Sequence, residues 1–283
     1  MTTTEQEKNP NGQDVAADNE LHILYWLHRF GWLRTRDLAS LVWYDSRSAD
    51  SAISMAQRTL KRLKSSRQVL HKIAPDGATV YALALAGAKR LGDEAGIDAR
   101  SGKDVLRVLG NYEHRCNANV FAINQVRAGE KIWTEREIQS GRAPVRTVLH
   151  KVPDGLIDAT NDEDKDSFLA LSWVEIERGH KKADDFTKMM NFAYTVLGPL
   201  NSAGQPTNEM YDVYVKNAGK PVMIQAVIIQ VANEAQRDRI IRAVRKARSS
   251  RPNDYAWWQI LFNLYLCDNQ SVELHPIRKW VTD

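Results

Sequence analysis

Four acidic residues between positions 135 and 177 are spaced so that they could act together: Glu135, Asp154, Glu175 and Glu177. Glu175 and Glu177 end the apolar run Phe168 to Glu177 (FLALSWVEIE). Strand side chains alternate, so both acids share one face while Val174 and Ile176 take the other. Asp154 lies in Pro153-Asp154-Gly155 on the preceding strand-like run. If those strands pair, Asp154, Glu175 and Glu177 converge as metal ligands. Hard oxygen donors of this kind suit Mg²⁺ or Mn²⁺. Such a metal polarises a phosphate and activates water for phosphodiester cleavage. Glu135 is a further acidic candidate, and Lys182 or Lys188 could stabilise charge on the phosphate. Neighbouring carboxylates repel when no cation lies among them, so removing one is expected to keep or raise stability. Taken singly, Pro-Asp-Gly is a common turn, as in Pro75-Asp76-Gly77, and Glu-x-Glu is commonly a solvated strand face.

The elements that would position these acids can be read from periodicity. Glu113 to Arg127 reads as a helix, followed by strands over Lys131 to Glu137, over Pro144 to Leu149 and on to Asp158, and over Phe168 to Glu177. A helix from Ala183 to Leu197, a strand from Val222 to Val231, a basic helix from Glu234 to Arg248 and a strand from Trp257 to Leu266 complete the order. This is an α/β core.

The first half reads differently. Helical spacing marks Leu21 to Leu33, then Arg36 to Val42 after Thr35, then a third helix from the Ser48 cap to about Ser65. Two strand-like runs follow around Pro75-Asp76-Gly77, a hairpin pattern. A fourth helix covers about Ala86 to Ala95. Helices followed by a hairpin describe a winged helix, whose third helix enters the major groove while the wing touches phosphate. Ser51 to Lys72 contains Arg58, Lys61, Arg62, Lys64, Arg67 and Lys72 and no acid. These six residues are the candidate DNA-binding set, and they would supply salt-dependent affinity. A solvated helix face and a protein-interaction module are the rival readings. The basic helix after Val231 offers a second phosphate-binding surface or a solvated face.

The expected organisation is a disordered acidic tail over 1–20, a winged-helix domain over 21–95, a linker over 96–110 and a nuclease-like domain over 111–283. The tail expectation rests on five acids against Lys8 among the first twenty residues. A 43% hydrophobic content over 283 residues is enough for sizeable cores. No apolar run reaches the roughly 20 residues of a membrane span, and no signal-peptide pattern opens the chain. Cys116 and Cys267 are the two cysteines. They exclude a disulfide framework and a cysteine-based zinc site, and they suit a reducing cytoplasm. The net charge of +4 is compatible with nucleic acid. There is no Gly-rich phosphate loop and no His-x-His pair.

The pair Pro153-Asp154-Gly155 and Glu175-Ile176-Glu177-Arg178-Gly179 resembles the PD-(D/E)xK nuclease superfamily. Together with the winged helix, His114 before Trp133-Thr134-Glu135, and Trp280, the chain is more narrowly similar to the replication-relaxation family. That family includes plasmid mobilisation relaxases of the MobC type. The resemblance covers roughly Leu21 to Trp280. It implies a restriction-endonuclease-like domain acting on DNA, with Asp154 and Glu175 at the two acidic motif positions. The superfamily's usual lysine is here Glu177. Lys182 or Lys188 would then be a migrated substitute, or Glu177 a third metal ligand. Phe192 stands where an aromatic hydroxyl is expected.

The expected function is therefore metal-dependent DNA nicking in plasmid or mobile-element processing. The alternative is a non-catalytic DNA-binding regulator or relaxosome-like accessory protein. DNA is the expected partner, with other mobilisation or replication proteins and a homodimer as further readings and no membrane.

Overall fold

The computed structural model describes residues 11–107, 111–147, 151–163, 165–177, 183–197, 220, 222–249, 260–264 and 277–280. Side chains at 183–184, 194–195, 197, 247–249, 260–264 and 277–280 are outside the description. The protein is mixed α/β, with helices and two sheets, and divides after Tyr112 into two units.

In the first unit, α1 (Gly12–Phe30) buries Ile23, Leu24, Leu27 and Phe30 on one side. The acidic tail expected over 1–20 is corrected for its second half, because residues 12–20 are helical. The Asn11 side chain accepts the Gln13 and Asp14 amides, both at 2.9 Å, and so caps the helix. Glu20 further along α1 is tied to Arg62 and Arg90. Gly31, at φ 80°, closes the helix, and β1 (Trp32–Arg34) follows where the sequence pattern had extended the helix to Leu33.

α2 (Thr35–Val42) starts at a buried ion pair. Arg34 and Asp37, 4% and 0% exposed, meet through Nη2 to Oδ1 at 2.8 Å and Nε to Oδ2 at 2.9 Å. Asp37 also accepts the Arg34 amide, so the carboxylate satisfies the helix start and the cation together. α3 (Ala49–Ser65) is capped by Ser48, which accepts the Ser51 amide. β2 (Val69–Ile73) and β3 (Thr79–Leu83) form a hairpin, and β1 pairs antiparallel with β3 on its other side. The three-stranded order is β1-β3-β2.

α4 (Leu85–Ala95) and α5 (Lys103–Arg107) complete the unit. The stretch expected as a linker over 96–110 is corrected over its described part. The Gly102 amide donates to the Leu83 carbonyl at 2.8 Å, Lys72 Nζ donates to the Leu106 carbonyl at 3.1 Å, and Leu106 is buried.

The second unit is built on a six-stranded sheet in the order β4-β5-β6-β7-β8-β9. α6 (Tyr112–Arg127) leads into β4 (Ile132–Thr134). The strand expected through Glu137 stops at Thr134, where a capping box starts α7 (Glu135–Gln139). Thr134 Oγ1 accepts the Glu137 amide, and the Glu137 carboxylate accepts the Thr134 amide. Glu135 therefore opens a helix and is not a strand residue.

Of the long second strand, the described residues show β5 (Gly155–Asp158), residues 144–147 are not strand, and residues 148–150 lie outside the described ones; Pro144 and Pro153 cannot donate to a ladder. β6 (Leu169–Glu177) pairs antiparallel with β5 and parallel with β7 (Val222–Val231), the crossover containing α8 (Ala183–Leu197). α9 (Glu234–Ser249) follows. β8 (Ile260–Leu264) falls within the expected Trp257 to Leu266, whose other residues lie outside the described ones, and β9 (Ile277–Trp280) adds an edge strand. Trp173 of β6, Ile229 of β7, Met189, Met190 and Ala193 of α8 and Ile240 of α9 share one core.

Candidate functional site

The register Gly155↔Val174 places Asp154, the residue just before β5, beside the stretch of β6 that carries Glu175. The Asp154 amide donates to the Val174 carbonyl at 3.0 Å, and Asp154 Oδ2 accepts the Ile176 amide at 2.8 Å. Asp154 thus continues the ladder with its own side chain, which fixes the carboxylate. Its Oδ1 lies 2.8 Å from His114 Nε2. Asp154 therefore lies beside Glu175 on the neighbouring strand, with Glu177 two residues further along β6. Glu175 and Glu177 are 6% and 7% exposed.

Burial pushes the Glu175 carboxyl up in pKa, with the Asp154 charge adding to the effect. Lys151 opposes it: Lys151 Nζ is 2.7 Å from Glu175 Oε2. Glu175 Oε1 accepts from Trp173 Nε1 at 2.5 Å. Lys151 Nζ also lies 4.6 Å from the centre of the Phe192 ring, which fixes the ammonium from the other side. Phe192, lacking a hydroxyl, acts here through its face.

Lys151 is the cation the sequence reading missed. Lys188, the sequence's candidate on α8, is exposed to solvent. Lys182 lies outside the described residues. The available signal was Lys151 itself, a cation just before Val152-Pro153-Asp154, overlooked because the motif places its lysine after the second acid.

α6 supplies the other two bases. Arg115 Nη1 is 2.6 Å from Glu135 Oε2, whose second oxygen accepts from Gln139 at 2.5 Å. The hydrogen bond to Asp154 raises the His114 pKa above its ordinary value; burial opposes this, and the charges of Asp154, Glu135 and Glu177 reinforce it. His114 is therefore the point where all four sequence-selected acids but Glu175 act.

These residues do not fit a divalent cation as placed. The donor chemistry is suitable, but both oxygens of Asp154 and both of Glu175 already face a protein donor. Among the described residues no group of three His, Cys, Asp or Glu side chains is arranged to hold a metal.

The candidate nucleic-acid surface belongs to the first unit. α3 buries Ala52, Ala56, Thr59, Leu60 and Leu63. Arg58, Lys61, Lys64 and Arg67 are exposed, the last in a left-handed conformation at φ 56° just past the helix. Arg62 and Lys72 are exposed too but are committed within the unit. Arg62 Nε lies 2.8 Å from Glu20 Oε1, and Lys72 donates to Leu106. At the hairpin turn, Asp76 accepts from the Tyr112 hydroxyl at 2.9 and 3.0 Å, and Tyr112 stacks on Trp32 at 5.5 Å. The turn thus presents a held acid.

No helix among the described residues is long and apolar enough to cross a membrane. No protein-family model, curated protein or solved structure matches the chain.

Proposed function

We propose that the chain is a duplex-DNA-binding protein, with a winged helix as its first unit and a PD-(D/E)xK-like core as its second. The observation that carries this reading is the exposed face of α3, where Arg58, Lys61 and Lys64 lie clear of the buried apolar side, with the exposed Arg67 just past its end. The order α1-β1-α2-α3-β2-β3, with β1 paired to β3, supports a winged helix whose third helix enters the major groove. Cations there would displace counterions from phosphate and make binding salt-dependent. The strand order of the second unit, antiparallel through β4-β5-β6 and parallel from β6 to β8, supports the nuclease-like fold. The resemblance to the replication-relaxation family suggests plasmid or mobile-element DNA as the setting.

Fluorescence anisotropy with a labelled duplex at two salt concentrations tests the reading. Tight binding that weakens with salt supports it, and no binding at low salt refutes it.

Metal-dependent nicking, the expectation from the sequence, is the rival reading, and the placement of the acids speaks against it, since Lys151 pairs with Glu175 and both Asp154 oxygens face protein donors. A supercoiled-plasmid assay with Mg²⁺ and with Mn²⁺, comparing wild type with Asp154→Ala, decides it. Nicking that the variant loses would make the protein an endonuclease. Intact plasmid would leave the accessory-protein role.

A further inference from the structure

We infer that the acid cluster of the second unit takes no divalent metal, because Lys151, His114 and Arg115 already serve as its cations. Two of the three carboxylates that the sequence suggests as metal ligands, and the further acidic candidate Glu135, have a basic partner of their own. Glu135 has Arg115 at 2.6 Å, Asp154 has His114 at 2.8 Å and Glu175 has Lys151 at 2.7 Å. The carboxylates are the more shielded partners: Glu175 is 8% and Asp154 16% exposed, against 34% for Lys151 and 30% for His114, while Arg115 and Glu135 are 13% and 20% exposed.

A divalent cation needs several oxygen ligands whose charge is not yet balanced. To reach Glu175 Oε2 it would have to displace an ammonium that also rests on the Phe192 ring. To reach Asp154 Oδ1 it would have to displace the His114 ring, while Oδ2 is held by a backbone amide. The displaced bases would remain within a few ångströms of the metal in a site of reduced dielectric, where like charges repel strongly.

The pairs have a structural consequence. Two of them join consecutive residues of α6 to the residue just before β5 and to the first residue of α7, and the third joins Lys151 to the centre of the sheet at β6. The cluster is an ion-pair clasp at the place where a nuclease of this fold would keep its metal. The inference stands apart from DNA binding by α3, and its test contains no DNA, so each can fail without the other.

The test uses the full chain. Mn²⁺ is titrated in and followed by electron paramagnetic resonance, and melting is compared in EDTA, Mg²⁺ and Mn²⁺. The free Mn²⁺ signal should match that of buffer at micromolar concentrations, and the melting temperature should not depend on the metal. One Mn²⁺ bound per chain and lost in Asp154→Asn would overturn the inference.

Lys151→Met probes the clasp directly. It leaves Glu175 buried without its cation, so the melting temperature should fall, and Mn²⁺ should now restore part of the loss. Lys151→Arg keeps the charge and should remain metal-indifferent. A Lys151→Met protein as stable as wild type and blind to Mn²⁺ would refute the role given to Lys151. Should that variant not fold, Lys151→Met with Glu175→Gln decides. A folded, metal-indifferent double variant supports the pairing, and one as unstable as the single variant refutes it.

Discussion

His114 Nε2 lies 2.8 Å from Asp154 Oδ1, while the other oxygen of Asp154 receives the Ile176 amide at the same distance. One carboxylate thus links a helix to the ladder between two strands, and its strength depends on the charge of the imidazole. The Asp154 hydrogen bond holds the His114 pKa above its ordinary value of 6.5. A raised pKa means that the folded state binds the proton more tightly than the unfolded chain. The pair's contribution is complete below about pH 6.5 and is lost as pH rises through the folded pKa. Urea midpoints measured across this window should fall with rising pH, and His114→Ala should flatten that part of the profile. An identical slope in the variant would assign the pH dependence elsewhere.

The six basic residues of the DNA-binding set should separate into two groups. Arg58→Ala with Lys61→Ala should weaken duplex binding and make the plot of log affinity against log salt shallower by about 2, near one unit per lost phosphate contact. The melting temperature should change little. Arg62→Ala should instead lower stability, because it opens the Glu20–Arg62–Arg90 network. Half of Arg62 is solvated, so the loss should be below about 1 kcal/mol. Equal losses of affinity in both variants would contradict this division.

Glu177→Lys restores the superfamily motif on paper. Glu177 is 7% exposed and acts on His114 from the same strand as Glu175. The substitution would bury an ammonium where a carboxylate now acts on His114 and remove one of the charges balancing that ring. A loss of about 3 kcal/mol is expected, comparable to breaking a buried ion pair. Chemical denaturation measures it. A variant as stable as wild type would place position 177 in solvent.

Gly87 should tolerate no side chain. An added Cβ would lie 2.3 Å from the Gln68 carbonyl oxygen and 2.9 Å from Leu24 Cδ2. That oxygen also accepts the Ala84 amide at the start of α4, so it cannot simply turn away. Gly87→Ala should cost about 1–3 kcal/mol through overpacking despite alanine's better helix propensity. Unchanged stability would mean that α4 shifts freely against β2.

The carboxylates illustrate how an expectation changes once partners are known. With Asp154, Glu175 and Glu177 considered alone, mutual repulsion makes removal of one acid neutral or stabilising. With His114 on Oδ1 and the Ile176 amide on Oδ2, Asp154→Asn should destabilise the protein, since it breaks a charge-assisted bond at each end.

Local pattern was sufficient for several elements. Ser48 before an amphipathic run determines where α3 begins, because its side chain accepts an amide that the helix leaves unpaired. Strand alternation determines that Glu175 and Glu177 share a face whatever lies above it. Thr134 and Glu137 also carried their capping box in the sequence, but the β-type residues Ile132 and Trp133 pulled the reading towards a longer strand. The tertiary structure decided which bases meet the acids. Lys151 reaches Glu175 only because β5 and β6 pair in the register Gly155↔Val174, and His114 reaches Asp154 only because of how α6 packs in the second unit. Periodicity fixes which face of an element a residue occupies, whereas ion pairs between distant segments depend on which faces meet, and that is set by packing over the whole domain.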